Sequence, residues 1–208
     1  MDLGVGEEKK YKTTAINVSN SLLDIGTTLL SKDLMDKYSN LPEQEVKRLK
    51  ALHQLLILDS PYECLFDTIT RATSSVCKTP MALITFVDED RQWFKSKVGI
   101  EGVTETPREG GLCYTTILSN EILEIPDALS DSRFNTNAFI TGNPFVRFYA
   151  GAPIIMPLGE RIGSLCVMDT IPNHLNEYQK LALEGFSKVV AQALLVRNIN
   201  TKFINTNT

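Results

Sequence analysis

The side chains best suited to chemistry in this sequence of 208 residues are its four cysteines, because thiols act as nucleophiles, redox groups or metal ligands. No two of them form a C-x-x-C pair, so the spacing offers neither a zinc knuckle nor a thioredoxin-type motif. The two histidines are too few for a multi-histidine metal site. No signal peptide is evident at the N-terminus, so we expect a cytoplasmic protein whose thiols are free. The cysteines are Cys64, Cys77, Cys113 and Cys166.

Cys113 is the cysteine with the strongest case for reactivity. It follows Gly110 and Gly111 at an expected helix start, where backbone N–H groups lower the pKa of a thiol. The alternative is a small residue that lines or seals a pocket, and we favour this interpretation because most buried thiols are inert. Cys166 lies in an apolar stretch expected to be a strand, where a core role is favoured still more. No catalytic residue is assigned, and Cys113 and Cys166 are the candidates if the protein works through thiols.

Arg133 is the best candidate for binding a charged group. Its guanidinium could hold a carboxylate or a phosphate, and Asp127 and Asp131 stand close to it in the sequence. The alternative is an ion pair that ties down the surrounding segment. Phe148 and Tyr149 stand at the start of an expected strand, so one of the two should face the same cleft. The expected ligand-binding residues are Cys113, Tyr114, Asp127, Arg133 and Tyr149.

The charge of the chain excludes some classes of partner. Lys and Arg total 21 and Asp and Glu total 25, which gives a net charge of −4 without any basic cluster. A nucleic-acid binder needs concentrated cations to neutralise phosphates, so no nucleic-acid partner is expected. No apolar run approaches the roughly 18 residues of a membrane-spanning helix, so no membrane partner is expected either.

Two β-hairpins stand out in the hydrophobic pattern, one in each half of the chain. Residues 81–87 and 162–168 are apolar on both faces, which is typical of central strands in a sheet. The strand at 92–98 alternates instead, and we expect its side with Trp93 and Lys95 to face water.

Helices are expected towards both ends of the chain. Ser60 and Glu63 match a capping box that would open one helix, and Asn176 with Gln179 form a similar pair at the start of the last. Apolar residues recur at helical spacing along each of these stretches. The expected helices cover 15–38, 42–57, a stretch from Ser60 to Val76, and 176–197.

These elements predict an α+β fold. Strands adjacent in sequence imply an antiparallel sheet, and the terminal helices would cover one of its faces. The middle of the chain, rich in Gly, Asn and Pro, would cover the other face and pack loosely enough to leave a cavity. It comprises a long loop at 99–111, a short helix at 112–118, a short strand at 122–125 and an irregular stretch at 127–146. The expected organisation is a disordered N-terminus at 1–14, a helical extension at 15–41, one domain at 42–198 and a flexible tail at 199–208.

Several short motifs occur in a fixed order between residues 48 and 197. They are Arg48-Leu49-x-x-Leu52, Ile57-Leu58-Asp59-Ser60-Pro61, the run from Val87 to Ser96, Glu105-Thr106-Pro107-Arg108, Pro126-Asp127-Ala128, Asp131-x-Arg133-Phe134, the run from Arg147 to Pro153, and the run from Gly163 to Asp169. In this order they resemble the GAF domain family, the small-molecule sensor modules of many bacterial signalling proteins. The resemblance is to the subgroup that often stands next to diguanylate cyclase or histidine kinase domains. It implies a PAS/profilin-like six-stranded antiparallel sheet, with terminal helices on one face and a pocket of loops and short helices on the other.

The sequence departs from the GAF subfamilies with known chemistry. Thr115 stands where bacterial relatives often carry the histidine of a Cys-x-His pair. The residue set of cyclic-nucleotide-binding GAF domains, the Cys-His attachment site of bilins and the cysteine arrangement of free methionine-(R)-sulfoxide reductases are not reproduced. No bilin, haem or metal cofactor is therefore expected.

The resemblance implies a non-catalytic sensory or regulatory domain that binds an unidentified small molecule and acts on a downstream signalling effector. We also expect a homodimer joined through the terminal helices, chiefly residues 18–29 and 186–194, because these helices offer more apolar surface than one sheet face covers. Two alternatives remain. One is a thiol-based enzyme or redox sensor that uses Cys113 and resembles methionine sulfoxide reductases, and the other is a ligand-free dimerisation scaffold.

Overall fold

The computed structural model describes residues 41–206, with side chains described through residue 199. The helices are α1 (Glu43–Gln54), α2 (Cys64–Cys77), α3 (Leu112–Thr116), α4 (Ala138–Thr141) and α5 (Glu177–Thr206). The strands are β1 (Met81–Val87), β2 (Arg91–Val98), β3 (Glu105–Pro107), β4 (Leu123–Ile125), β5 (Phe148–Ile155) and β6 (Arg161–Asp169). The helix predicted over 15–38 lies outside the described residues. Among the helices of the described part, none is long and apolar enough to cross a membrane.

The six strands form one antiparallel sheet in the order β3-β2-β1-β6-β5-β4. Strands β1 and β6 lie at its centre, as their two apolar faces predicted, and every residue of β1 is buried. Their register pairs Thr85 with Ser164 and Leu83 with Cys166. The predicted α+β class with a six-stranded antiparallel sheet is confirmed.

Helices α1, α2 and α5 cover one face of the sheet. Leu52 of α1, Phe66 of α2 and Leu183 of α5 are almost fully buried in one cluster with Ile84 and Leu165 of the central strands. Burial of an aliphatic or aromatic side chain contributes about 1.5–3 kcal/mol, so this layer holds the sheet in place.

The segment between β2 and β5 covers the opposite face. Leu83 and Met168 project from the central strands on that side and pack against Leu112, Phe134 and Ile140. The central strands are thus apolar on both faces because each face has its own cover, which is the arrangement expected from their sequence.

Strand β2 does not have the wet side that its alternating pattern predicted. Trp93 and Lys95 are each only 8% exposed, because α2 and the loop before it cover this side of the strand. The Lys95 ammonium donates to Ser60 Oγ at 2.8 Å and to the Pro61 carbonyl at 2.6 Å. It also forms an ion pair of 2.7 Å with Glu63, so its charge is buried but neutralised.

The predicted capping box at Ser60 is wrong. Helix α2 begins at Cys64 instead, and Glu63 does not cap it through its side chain. The Glu63 carboxylate is engaged by Lys95, and Ser60 Oγ donates to the Ile57 carbonyl at 2.6 Å. Because the Ser60 and Glu63 side chains bind other partners, they do not form the capping box that the sequence predicted.

The start of α5 agrees with its sequence signal. Asn176 N–H donates to Gln179 Oε1 at 2.9 Å, and Gln179 N–H donates to Asn176 Oδ1 at 3.0 Å, so the predicted capping pair is confirmed. Helix α5 continues to Thr206, past residue 197, where the sequence pattern predicted its end.

Helix α5 buries a narrower face than expected. Val190 and Leu194, which lie in the stretch assigned to a dimer interface, are buried against the sheet of their own chain. Leu181 and Val189, which are apolar residues of the same helix, are 69% and 47% exposed. These two side chains therefore point away from the sheet.

Candidate ligand pocket

A cavity of about 260 Å³ lies between the sheet and the segment that covers its second face. Its inner walls are apolar and come from β1, β2, β6, α3 and α4, with Leu83, Phe94, Met168, Leu112 and Phe139 contributing. Polar side chains line the remainder, namely Gln92, Thr106, Glu109, Arg133, Thr136 and Asn137. A mostly apolar cavity with a few polar groups is the usual form of a small-molecule site.

Tyr149 and Cys113 form part of the cavity floor. Tyr149 projects from β5, is fully buried, and its hydroxyl lies 2.6 Å from Thr116 Oγ1. The same hydroxyl donates to Cys113 Sγ at 3.7 Å. Gly151 makes this contact possible, because a Cβ at that position would overlap the Tyr149 hydroxyl.

A second thiol stands behind the first. Cys166 of β6 is fully buried, and its Sγ lies 3.9 Å from Cys113 Sγ, with no disulfide between them. The hydrogen bond from the Cys166 thiol lowers the pKa of Cys113 to about 6, although burial acts against this. The same hydrogen bond, together with burial, raises the pKa of Cys166 well above its ordinary value. Cys113 is therefore the acceptor of the pair, and Cys166 remains the proton donor.

Two further hydroxyl groups lie buried on this face of the sheet. Thr85 Oγ1 and Ser164 Oγ sit opposite each other on the two central strands, and neither has a hydrogen-bond partner among the described residues. Each hydroxyl could donate a hydrogen bond to the Cys113 thiolate, and this lowers the pKa of Cys113. Burial raises the pKa of Tyr149 well above its ordinary value, so its phenol stays protonated as a donor.

The mouth of the cavity carries the charged groups. Arg133 lines the cavity and forms an ion pair of 2.6 Å with Asp131, with its side chain 57% exposed. Asn137 Nδ2 donates to the Gly110 carbonyl at 2.7 Å, which ties the two rims of the mouth together. Both interpretations of Arg133 are therefore compatible with its position, since it faces the cavity and is also ion-paired within its own segment.

The structure brings three of the five sequence-predicted ligand residues to the cavity. Cys113, Arg133 and Tyr149 line it, whereas Tyr114 and Asp127 do not. Asp127 instead pairs with Arg147 at 2.7 Å, and this hydrogen bond lowers the pKa of Asp127 to about 2. Tyr114 lies beneath the Arg108 guanidinium, 4.6 Å from the ring centroid.

Gln92 is a lining residue that sequence reasoning missed. Its amide nitrogen donates to Thr106 Oγ1 at 3.0 Å and to the Pro107 carbonyl at 2.9 Å. Its amide oxygen accepts from the Tyr114 N–H at 2.9 Å, so Gln92 joins β2, β3 and α3. The available signal was its position on the Phe94 side of an alternating strand, where a polar side chain is buried.

Arg108 connects the cavity wall to α1. It stands next to the lining residue Glu109 and forms an ion pair of 2.7 Å with Glu45, which also binds Arg48 at 2.8 Å. Burial acts to raise the pKa of Glu45, but hydrogen bonds from Arg48 and Arg108 outweigh it and hold the pKa below its usual value. A displacement of the cavity wall would therefore be transmitted to α1 through these ion pairs.

The described residues contain no group of His, Cys, Asp and Glu side chains arranged to hold a metal ion. The residues that line the cavity offer hydrogen bonding, apolar contact and the Cys113 thiol.

A family model and a curated protein both match most of this chain. The family model described as GAF domain matches residues 61–194, more than half of the chain. A cyclic di-GMP phosphodiesterase of Pseudomonas aeruginosa is 39% identical over 150 residues, which cover 72% of this chain and 25% of that protein. The chain thus spans about a quarter of the length of that curated relative.

Two solved structures share the fold. The GAF domain of the Acinetobacter phosphoenolpyruvate-protein phosphotransferase superposes with a TM-score of 0.56 at 17% identity, covering 74% of this chain and 95% of its own. The free methionine-R-sulfoxide reductase of Neisseria meningitidis superposes with a TM-score of 0.55 at 13% identity, covering 77% and 94%. At these identities the likeness concerns the fold alone.

Proposed function

This chain belongs to the GAF domain family, and from that membership we propose that it is a cytoplasmic sensory or regulatory module that binds a small molecule without transforming it. The observation that carries the proposal is the cavity of about 260 Å³, with its apolar interior and polar mouth. Enclosed sites of this kind orient a ligand through a few fixed polar groups.

The cavity size restricts the class of ligand. Pockets for drug-sized molecules run from roughly 300 to 1,000 Å³, so this cavity suits a small metabolite and is too small to enclose a cyclic dinucleotide. Its polarity suits a molecule with an apolar body facing Leu83 and Met168 and a polar or anionic end near Arg133. The ligand we propose is therefore not the substrate named for the Pseudomonas relative.

We propose that the ligand state reaches an effector through helices. Arg108 joins the cavity wall to Glu45 of α1, so ordering of the wall would shift α1 relative to the hairpin. The phosphodiesterase relative supports a role in signalling. Because this chain spans only a quarter of that protein, we assign it the regulation of such an effector and not the phosphodiesterase reaction.

We propose homodimerisation through the exposed face of α5. Val189, Val196 and Ile199 are 47%, 58% and 54% exposed and are spaced seven and three residues apart, which places them on one face of the helix as in a coiled-coil seam. This seam lies on the opposite side from the residues that α5 buries in its own chain. A ligand-free dimerisation scaffold would use the same seam and leave the cavity empty.

A thiol-based enzyme is the second candidate function. The observation that favours it is the 3.9 Å separation of Cys113 and Cys166 at the cavity floor. Turnover of a cavity-bound substrate with a thiol reductant would establish it, and binding without turnover would exclude it.

A ligand screen tests the proposed function. Small metabolites are added to the reduced protein, and thermal unfolding is followed in each. A specific ligand at a hundredfold excess over its dissociation constant should stabilise the protein by about 2.7 kcal/mol. Ala138→Trp places an indole at the cavity mouth and should weaken binding at least about tenfold. Asn135→Trp is the control, because Asn135 is exposed in the same segment but does not line the cavity.

Arg133→Ala separates the two roles of that residue. Loss of affinity for anionic ligands with unchanged stability would support the ligand contact. Loss of stability alone would assign Arg133 to its ion pair with Asp131. The binding proposal fails if no compound stabilises the wild-type protein or if Ala138→Trp binds as well as the wild type.

A further inference from the structure

The four cysteines of the chain occupy very different surroundings. Cys64 is exposed and Cys77 is buried, with burial raising the pKa of Cys77 to about 11. Only Cys113 and Cys166 lie within reach of another thiol among the described residues, at 3.9 Å. Cys113 lines the cavity, whereas Cys166 lies behind it and does not. The pair is thus asymmetric, with one thiol open to a cavity occupant and the other reachable only through the first.

Two of the polar groups around this pair are unsatisfied in the reduced protein. The Thr85 and Ser164 hydroxyls are buried without a hydrogen-bond partner among the described residues. A buried hydroxyl without a hydrogen-bond partner is unfavourable relative to a satisfied one. Hydroxyl groups that surround a sulfur can donate to it when it carries negative charge, and Tyr149 already donates to Cys113. The surroundings therefore suit a thiolate more than an inert thiol.

We propose that Cys113 and Cys166 form a reversible redox site, in which a small hydroperoxide entering the cavity oxidises the pair to a disulfide and thereby changes ligand binding. Cys113 is the attacking thiol and Cys166 the resolving thiol. The regulatory part of this proposal rests on the cavity being a ligand site, as proposed above. The lowered pKa of Cys113 supports the assignment of the attacking group.

The chemistry balances in two steps. The Cys113 thiolate attacks the outer oxygen of the hydroperoxide, the O–O bond breaks, and the alkoxide takes up a proton and leaves as an alcohol. Cys113 is then a sulfenic acid. The Cys166 sulfur attacks the Cys113 sulfur, the S–O bond breaks, and water leaves with the proton of the Cys166 thiol. The pair has lost two electrons to the hydroperoxide, and a dithiol reductant returns them by thiol–disulfide exchange.

The disulfide would change the shape of the cavity. The two sulfurs must approach from 3.9 Å to bonding distance, and they stand on different elements, α3 and β6. Helix α3 also supplies Leu112 to the cavity wall and Thr116 to the hydrogen bond with Tyr149. Drawing α3 toward β6 therefore alters the wall and the floor together.

Peroxide treatment of the full chain tests the proposal. The reduced wild-type protein is exposed to hydrogen peroxide at neutral pH, quenched by alkylation and mapped by peptide mass spectrometry. We expect a disulfide-linked pair of peptides containing Cys113 and Cys166, reversed by a dithiol. Cys113 should react at least about tenfold faster than Cys64, although Cys64 is the exposed cysteine. Cys64→Ser is the control and should leave the disulfide unchanged.

Two variants separate the steps. Cys166→Ala should stop at the sulfenic acid, which a cyclic diketone traps, whereas Cys113→Ala should give neither product. The proposal is overturned if Cys113 and Cys166 remain alkylatable at peroxide doses that oxidise Cys64. That result comes from the wild-type protein and does not depend on how the variants fold.

Failure of this proposal is distinguishable from failure of the proposed function. If ligands bind the reduced protein but no disulfide forms, only the redox site is wrong. If the disulfide forms and the reduced protein binds no ligand in the thermal screen, the binding function and its regulation are wrong and the thiol chemistry stands. Equal binding of one screen compound by the reduced and oxidised proteins would overturn the regulatory part.

Discussion

The hydroxyl oxygens of Tyr149 and Thr116 lie 2.6 Å apart beneath the cavity, joining β5 to α3. Thr116 Oγ1 donates to the Leu112 carbonyl at 3.0 Å, so the single proton of the Tyr149 hydroxyl is shared between two acceptors, Thr116 Oγ1 and Cys113 Sγ. This contact fixes the helix that carries Cys113 against the sheet. The position of the thiol in the cavity thus depends on one buried phenol.

Tyr149→Phe tests that dependence. Removal of the hydroxyl should cost about 1 kcal/mol of unfolding free energy and should raise the pKa of Cys113, because a donor to its sulfur is lost. In the wild type, the alkylation rate of Cys113 should fall as the pH drops through about 6, where the thiolate is protonated. In the variant this fall should occur at higher pH. Tyr178→Phe, at a residue 85% exposed, should change neither quantity; an identical pH profile for Tyr149→Phe would contradict the assignment.

Gly151→Ala should damage the same contact from the other side. The new Cβ would overlap the Tyr149 hydroxyl and lie 2.8 Å from Thr116 Oγ1, so a destabilisation of about 1–3 kcal/mol is expected. Gly185→Ala in α5 is the matched control. Its Cβ would meet nothing within 4 Å, and it should stabilise the helix by up to about 1 kcal/mol. Urea denaturation measures both, and equal effects would count against the close approach at Gly151.

Glu63→Gln should destabilise the fold through Lys95. The Lys95 side chain is 1% exposed, and removing the carboxylate leaves its charge buried with only neutral acceptors. We expect a loss of about 2–3 kcal/mol by chemical denaturation. Glu43→Gln, which breaks an exposed pair with Lys47, should stay within about 0.5 kcal/mol.

The same carboxylate should make stability depend on pH. Burial acts to raise the pKa of Glu63, but hydrogen bonds from Lys95 and Arg197 outweigh it and hold the pKa below its ordinary value. The stabilisation is therefore present above the pKa of an unfolded glutamate and is lost as the pH falls through the lower folded value. Glu63→Gln should flatten that part of the stability profile, and an unchanged profile would show that the ion pair contributes nothing.

Val196→Glu tests the proposed dimer seam on α5. A carboxylate at this exposed apolar position should raise the dimer dissociation constant at least about tenfold, or about 1.4 kcal/mol, by light scattering over a range of concentrations. Leu158→Glu is the control, since Leu158 is 89% exposed at a hairpin turn far from the helix in sequence. A monomeric wild-type protein, or a Val196→Glu variant that dimerises normally, would refute the seam.

The central strands could be predicted because burial on both faces leaves a direct sequence signal. Residues 81–87 and 162–168 carry apolar side chains without alternation, and only the middle of a covered sheet accommodates that. Strand β3 has three residues with mixed exposure and no periodicity, so the sequence predicts only a loop there.

Other features depend on contacts between residues far apart in the chain. Lys95 is polar in an alternating strand, which indicates a wet face, yet Glu63 and the preceding loop bury it. The sequence gives no sign that Gln92 has a special role. Only the fold brings β3 and α3 close enough to provide hydrogen-bond partners for both its amide nitrogen and its amide oxygen. A pattern of period two reports which side chains share a face and does not report what covers it.

The candidate site, like the fold, could be predicted only in part from the sequence. The order of the elements placed Cys113, Arg133 and Tyr149 around one cavity, because a long segment must cover the second sheet face. The partner of Asp127 was not predictable, since Arg133 stood nearer in sequence than the Arg147 it binds. The approach of Cys166 to Cys113 required the register of β6, which sequence reasoning could not set.

Native mass spectrometry of the protein purified from its own cells is the sharpest test of the cavity as a ligand site. We expect a wild-type protein that carries one small bound molecule, released on denaturation, and an Ala138→Trp variant that carries none. A wild-type protein with no bound molecule that also binds none of the screened metabolites, or a variant that retains the same molecule, would contradict the cavity as the ligand site of this GAF domain.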